Sequence, residues 1–154
     1  MKAQVNQRSV IEANSQFWEQ MLAMKLDSMP VQEEFCVAAG HMVGSVNLYG
    51  QWKGRIEVRM DGGLAYEATA AMMMQPVDTV AEADALDATK EIANMIAGSI
   101  KSSLPRPCAM AVPESAVESE RFCGAAPVED TLMVAFRHAA GDLMVRICEQ
   151  ECLV

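Results

Sequence analysis

Aromatic side chains make up only 5% of this 154-residue chain, so any core must be filled with other apolar groups. Lysine and arginine are outnumbered by acids, 12 to 21, and they cluster nowhere along the sequence. Binding a phosphate backbone needs concentrated positive charge, which argues against nucleic acid as a partner; an acidic surface favours basic patches on proteins or metal-bearing sites. No apolar run approaches the roughly 20 residues that span a bilayer, and residues 1–16 lack the apolar stretch of a signal peptide. The five cysteines (Cys36, Cys108, Cys123, Cys148, Cys152) include no C-x-x-C pair. They read as free thiols of a reducing cytosol. The expectation is a cytoplasmic protein without a membrane partner. Repeats at a solenoid period and low-complexity segments are absent too.

What the chain does have is apolar bulk. Hydrophobic residues make up 51% of it, 13 of them methionine, enough to bury one core in a single domain spanning residues 1–154. Methionine fills irregular gaps and adapts to imperfect fits.

Ser9 and Glu12 form an S-x-x-E capping box, which predicts a first helix beginning after Ser9. Val10, Ile11, Asn14, Phe17, Trp18, Met21 and Leu22 follow at helical spacing, and Pro30 closes the segment. Beyond Glu34 the period changes to two. Val46 and Leu48, then Ile56, Val58 and Met60, alternate with polar residues around the glycines of Tyr49–Gly54, the pattern of a hairpin with one buried face. A strand around Phe35–Ala39 precedes it. Asp61 and two glycines introduce a second helix near Leu64–Met74, which Pro76 ends. Thr79 and Glu82 repeat the capping box and open a third helix reaching about Ser103. A short strand near Cys108–Val112, a polar stretch from Pro113 to Asp130 and a last hairpin complete the chain. In that hairpin Leu132, Val134 and Phe136 face Leu143, Val145 and Ile147 across a turn at Ala139–Asp142. The predicted class is α+β: an antiparallel sheet built from hairpins, with two or three helices packed over one face.

The third helix carries the chemistry. Asp84, Asp87, Glu91, Asn94, Gly98 and Lys101 recur alternately three and four residues apart, which places them in one stripe. Ala85, Ile92, Ile96 and Ile100 form the opposite stripe, facing the sheet. Glycine in a helix interior costs about 1 kcal/mol relative to alanine, and asparagine is a mediocre helix former. Both departures fit a surface that a partner must approach closely.

The run Asp87-Ala-Thr-Lys-Glu91-Ile-Ala-Asn94-Met-Ile-Ala-Gly98-Ser-Ile-Lys101 resembles the signature helix of the CheX-like chemotaxis phosphatases, E-x-x-N followed by an apolar pair and a glycine. The order of elements around it is similar as well, including the G-x-V strand at Gly44–Val46, over most of residues 8 to 149; Ser119–Asp130 matches nothing in the family pattern. The chain holds a single E-x-x-N, like the single-site branch of that family. The resemblance implies a homodimer that removes phosphate from the phosphoaspartate of a CheY-like receiver domain. In that reading Asn94 holds the attacking water, Glu91 pairs with the receiver's lysine, Gly98 permits close approach, and Asp87 and Lys101 make rim contacts that steer docking. It implies no metal or cofactor in this chain, because magnesium belongs to the receiver.

The main alternative is a non-catalytic module that binds a receiver, or dimerises, through the same helix; a small-molecule domain would need a closed pocket that the sequence does not announce. Other groups read as structural. His41 and His138 have no ligand-like neighbours, Cys148 and Cys152 are two sulfurs without a site, and Ser45 and Ser99 lack a base. Met72-Met73-Met74 reads as core packing, with a pliable binding surface as the other possibility.

Overall fold

A computed structural model describes residues 5–30, 34–125 and 130–150. Helix α1 (Gln7–Leu22) is followed by strands β1 (Asp27–Met29), β2 (Glu34–Val37), β3 (Met42–Gly50) and β4 (Gly54–Met60). Helix α2 (Gly62–Met73), a 3-10 turn (Val77–Thr79) and helix α3 (Glu82–Lys101) come next, then β5 (Cys108–Met110), β6 (Glu114–Val117), β7 (Phe122–Ala125), β8 (Thr131–His138) and β9 (Gly141–Glu149). All strand pairs are antiparallel. The main sheet runs β1-β8-β9-β4-β3-β5, with β6 also pairing along β3, while β2 and β7 form a separate two-stranded ribbon. This is the expected α+β class.

Neither predicted capping box forms as read: the first is displaced and the second is absent. Asn6 caps α1: its side chain accepts from the Ser9 amide at 2.9 Å, and the Ser9 hydroxyl accepts from the Asn6 amide at 3.4 Å. Ser9 is thus the third residue of the helix, and Glu12 pairs with Arg8 at 3.3 Å instead. The helix ends at Ala23 in a left-handed cap, φ 52°, well before Pro30, which leaves room for edge strand β1. Thr79 lies in the 3-10 turn and donates to the Pro76 carbonyl at 2.6 Å, while α3 begins from Ala81 with no side-chain cap. Asp61, at the start of α2, also makes no capping bond. It accepts from the amides of Ala38 and Asp142, each at 2.8 Å, and so ties three segments together.

The alternation read from the two hairpins holds. Ile56, Val58 and Met60 of β4, Leu143, Val145 and Ile147 of β9, and Val134 and Phe136 of β8 enter one core under the helices with Trp18, Leu64, Ile92 and Ile96. The reading of a single buried face does not hold. The β2–β7 ribbon lies over the other face and closes a smaller core of Phe35, Val37, Met133, Ala135 and Met144. The polar alternates Glu57 and Arg59 are consequently buried. Glu57 accepts from Arg146 at 2.6 Å, Arg55 at 3.2 Å and Arg59 at 3.4 Å. The Arg59 guanidinium stacks 3.8 Å from the Phe122 ring. Burial pulls its pKa below the usual arginine value, and neighbouring Glu57 pushes the other way.

The same ribbon overturns part of the cysteine expectation. Cys36 and Cys123 stand opposite each other in the β2–β7 register and form a disulfide. A pairing across 87 residues leaves no local spacing signal. Cys108 and Cys148 are free thiols, the first buried and the second half-buried, and Cys152 lies outside the described residues. No helix among those residues is long and apolar enough to cross a membrane.

Candidate functional site

Helix α3 is held on two sides. Ala85, Ile92, Ile96 and Ile100 are buried to 3% exposure or less against the sheet, so the apolar stripe faces where its spacing predicts. Gly44 of β3 allows the approach: a Cβ there would lie 2.7 Å from the Thr89 carbonyl and 2.8 Å from the Ala93 Cβ. From the edge, the Ser115 hydroxyl of β6 donates to the Leu86 carbonyl at 2.8 Å. Glu82 and Asp84 in the first turn and Lys101 in the last complement the helix dipole.

On the outer stripe, Glu91 is exposed and Asn94 half-buried. Residues one turn apart on a helix have Cβ atoms about 5–6 Å from each other, so the carboxylate and the amide share one patch. Neither side chain hydrogen-bonds or ion-pairs with another described residue. Gly98, one turn on, is exposed, and nothing lies within 4 Å of where its Cβ would be. Among the described residues nothing therefore requires glycine at this position. Asp87 contacts Lys90 at 3.8 Å with both side chains well exposed, a pair worth about 0–1 kcal/mol. Gly98 and Lys101 border a concavity completed by Arg106, Pro107 and Cys108. The five predicted residues thus lie along one helix face. Their neighbours Met95 and Arg106 are additions that sequence spacing did not single out.

A carboxylate and an amide on a rigid, accessible helix can bind a cation and orient a water, but they form no nucleophile–base pair. Other chemistry finds little support. His41 is fully buried, and because arginine can only donate, its Nε2 accepts from Arg59 at 2.9 Å while Nδ1 donates to the Ala38 carbonyl at 2.8 Å. His138 Nδ1 accepts from the Ala140 amide in the last turn. Among the described residues the group able to converge on a metal is Glu34, Cys36 and Cys123, whose two sulfurs are already joined to each other.

Residues 42–127, from β3 through the signature helix to β7, match the family described as Chemotaxis phosphatase CheX. The chain belongs to the CheX family. No curated protein sequence matches it, and solved structures with the same fold are distant in sequence. The chemotaxis protein CheX from Vibrio vulnificus aligns over 94% of this chain and 95% of its own, at 19% identity and TM-score 0.74. A CheC-like superfamily protein from Shewanella sp. PV-4 aligns over 96% and 100%, at 19% identity and TM-score 0.75. The CheX of a CheX–CheY–BeF3–Mg complex from Borrelia burgdorferi aligns over 94% and 97%, at 17% identity and TM-score 0.69. In this CheX-family chain, Glu91 and Asn94 sit on the helix that crosses the sheet over Gly44.

Proposed function

We propose that this CheX-family protein hydrolyses the aspartyl phosphate of a CheY-like receiver domain, with Asn94 positioning the attacking water and Glu91 pairing with the receiver's lysine. The observation that carries the reading is the outward pair itself: a carboxylate and an amide without internal partners, one turn apart on a helix anchored at both sheet and edge. A relative's capture with CheY, BeF3 and magnesium supports a receiver as the partner.

A phosphoaspartate is a mixed anhydride and already activated; hydrolysis requires chiefly a water held in line with phosphorus. The Asn94 amide accepts one hydrogen bond from that water through its oxygen and offers its NH2 group to another acceptor, without itself taking a proton. Glu91 forms a charge-assisted bond to the lysine beside the phosphoryl group and so fixes the docked geometry. Magnesium stays with the receiver, and this chain needs no metal of its own. Gly98 lets the partner's backbone approach the helix, with Asp87 and Lys101 as steering charges at either end. We place the enzyme in the cytoplasm as a homodimer, consistent with the sheet edge at β1.

The test is phosphate decay from a magnesium-loaded receiver, with wild type and Asn94→Ala compared. Wild type should accelerate the decay, and the variant should lose about a hundredfold in kcat with KM held within threefold. Binding without acceleration by wild type would instead make the helix a docking surface and no catalyst.

A further inference from the structure

Beside Glu91 the three helices leave a groove of 480 Å³, formed by Phe17, Met21 and Leu22 of α1, Met72 and Met74 of the α2 terminus, and Glu91 and Met95 of α3. Its rim is unusually apolar for a surface: Met21 is 59% exposed and Met74 92%. The expectation that Met72–Met74 pack in the core therefore holds only for Met72, which lies half-buried against it. Met74 also ends α2 in a left-handed conformation, φ 53°. Glycine is the usual residue there, and a side chain in that conformation costs about 1–2 kcal/mol. In this chain the cost gains no burial, and it sends a flexible apolar group into solvent at the groove's edge.

We infer that this groove is a specificity surface, where an apolar flank of the receiver docks next to the lysine that Glu91 engages. The inference rests on the phosphatase reading for its partner and adds where and by what chemistry that partner is chosen. Two observations select the occupant. The groove is continuous with the candidate site, since Glu91 lines both. Among the described residues Glu91 is also the only charged one lining it, so its complement is an apolar surface with one cation at its border. A second copy of this chain seated here fits poorly, because it would cover Glu91 of the candidate site. Methionine suits the task, being polarizable, unbranched and able to repack against a partner.

The experiment uses the full-length protein and the receiver domains of its own organism, each loaded with beryllofluoride and magnesium. Met21→Glu and Met74→Glu alter exposed side chains outside the catalytic pair, Met74→Leu is the conservative variant, and Val112→Glu, 84% exposed at the sheet edge, is the control. Circular dichroism and a thermal melt establish that each variant is folded. Each glutamate in the groove should raise the Kd for the receiver, and KM in the phosphate-decay assay, at least tenfold. The kcat should stay within twofold, with Met74→Leu and Val112→Glu close to wild type. Unchanged Kd and KM in both glutamate variants overturn the inference, as does a shift in dimerisation with receiver binding intact. If wild type binds a receiver without dephosphorylating it and Met74→Glu abolishes that binding, the docking surface stands and the catalytic reading falls. If wild type binds none of the receivers, both are overturned.

Discussion

At Gly98 a cost to the fold and a proposed use by a partner can be told apart. In the interior of α3 this glycine costs stability, and apart from its own turn of helix no described residue lies within 4 Å of the missing Cβ. Gly98→Ala should therefore stabilise the protein by about 0.5–1 kcal/mol, read as a higher urea midpoint at unchanged slope. The same methyl group should weaken receiver binding about tenfold or more, since overpacking a close contact costs about 1–3 kcal/mol. A variant that is stabilised and binds normally would remove close approach at this position from the mechanism. The candidate site was legible in the sequence for this reason: glycine and asparagine on the outer helical stripe violate local preference without an internal excuse. Met74 was not legible, because a methionine run at a helix end reads equally well as core until the backbone direction is known.

For elements, the main question is what fixes the helix that carries Glu91 and Asn94. Gly44 is the contact point, directly beneath Thr89 and Ala93, which flank Glu91 in sequence, Ala93 being next to Asn94. Gly44→Ala would set a Cβ 2.7 Å from a backbone carbonyl, so the helix must move. The expected cost is about 1–3 kcal/mol, and turnover should fall with it, because on the proposed mechanism displacing α3 would misplace the water that Asn94 positions. A lower melting temperature with full kcat would mean that the sheet relaxes and the helix stays. Hairpins and helices were readable from their periods, because Ile56, Val58 and Met60 or Leu143, Val145 and Ile147 report one buried face directly. Caps were harder. Asn6 and Ser9 are both competent capping residues three positions apart, and only the observed bonds distinguish them. Strands β6 and β7 escaped because Glu114–Val117 and Phe122–Ala125 are short and carry no alternation long enough to read.

At the scale of the whole molecule the sheet divides labour between its faces, the helices and the candidate site on one, the β2–β7 ribbon on the other. Nothing local in the sequence signals that ribbon, since its register pairs residues 87 positions apart through Cys36 and Cys123. A two-stranded ribbon is marginal by itself; here it is supported by the apolar contacts of Phe35, Val37 and Met144 and by the disulfide. A disulfide typically contributes about 2–4 kcal/mol. Cys36→Ser with Cys123→Ser, or reduction of the wild type, should lower unfolding free energy by about that amount, and the double variant should no longer respond to reductant. Because Glu91 and Asn94 lie across the sheet, turnover of phosphorylated receiver at 25 °C should remain within twofold of wild type. A larger fall would mean that the ribbon acts on α3, and the route to examine would be β6, which precedes β7 in the chain and holds Leu86 through Ser115.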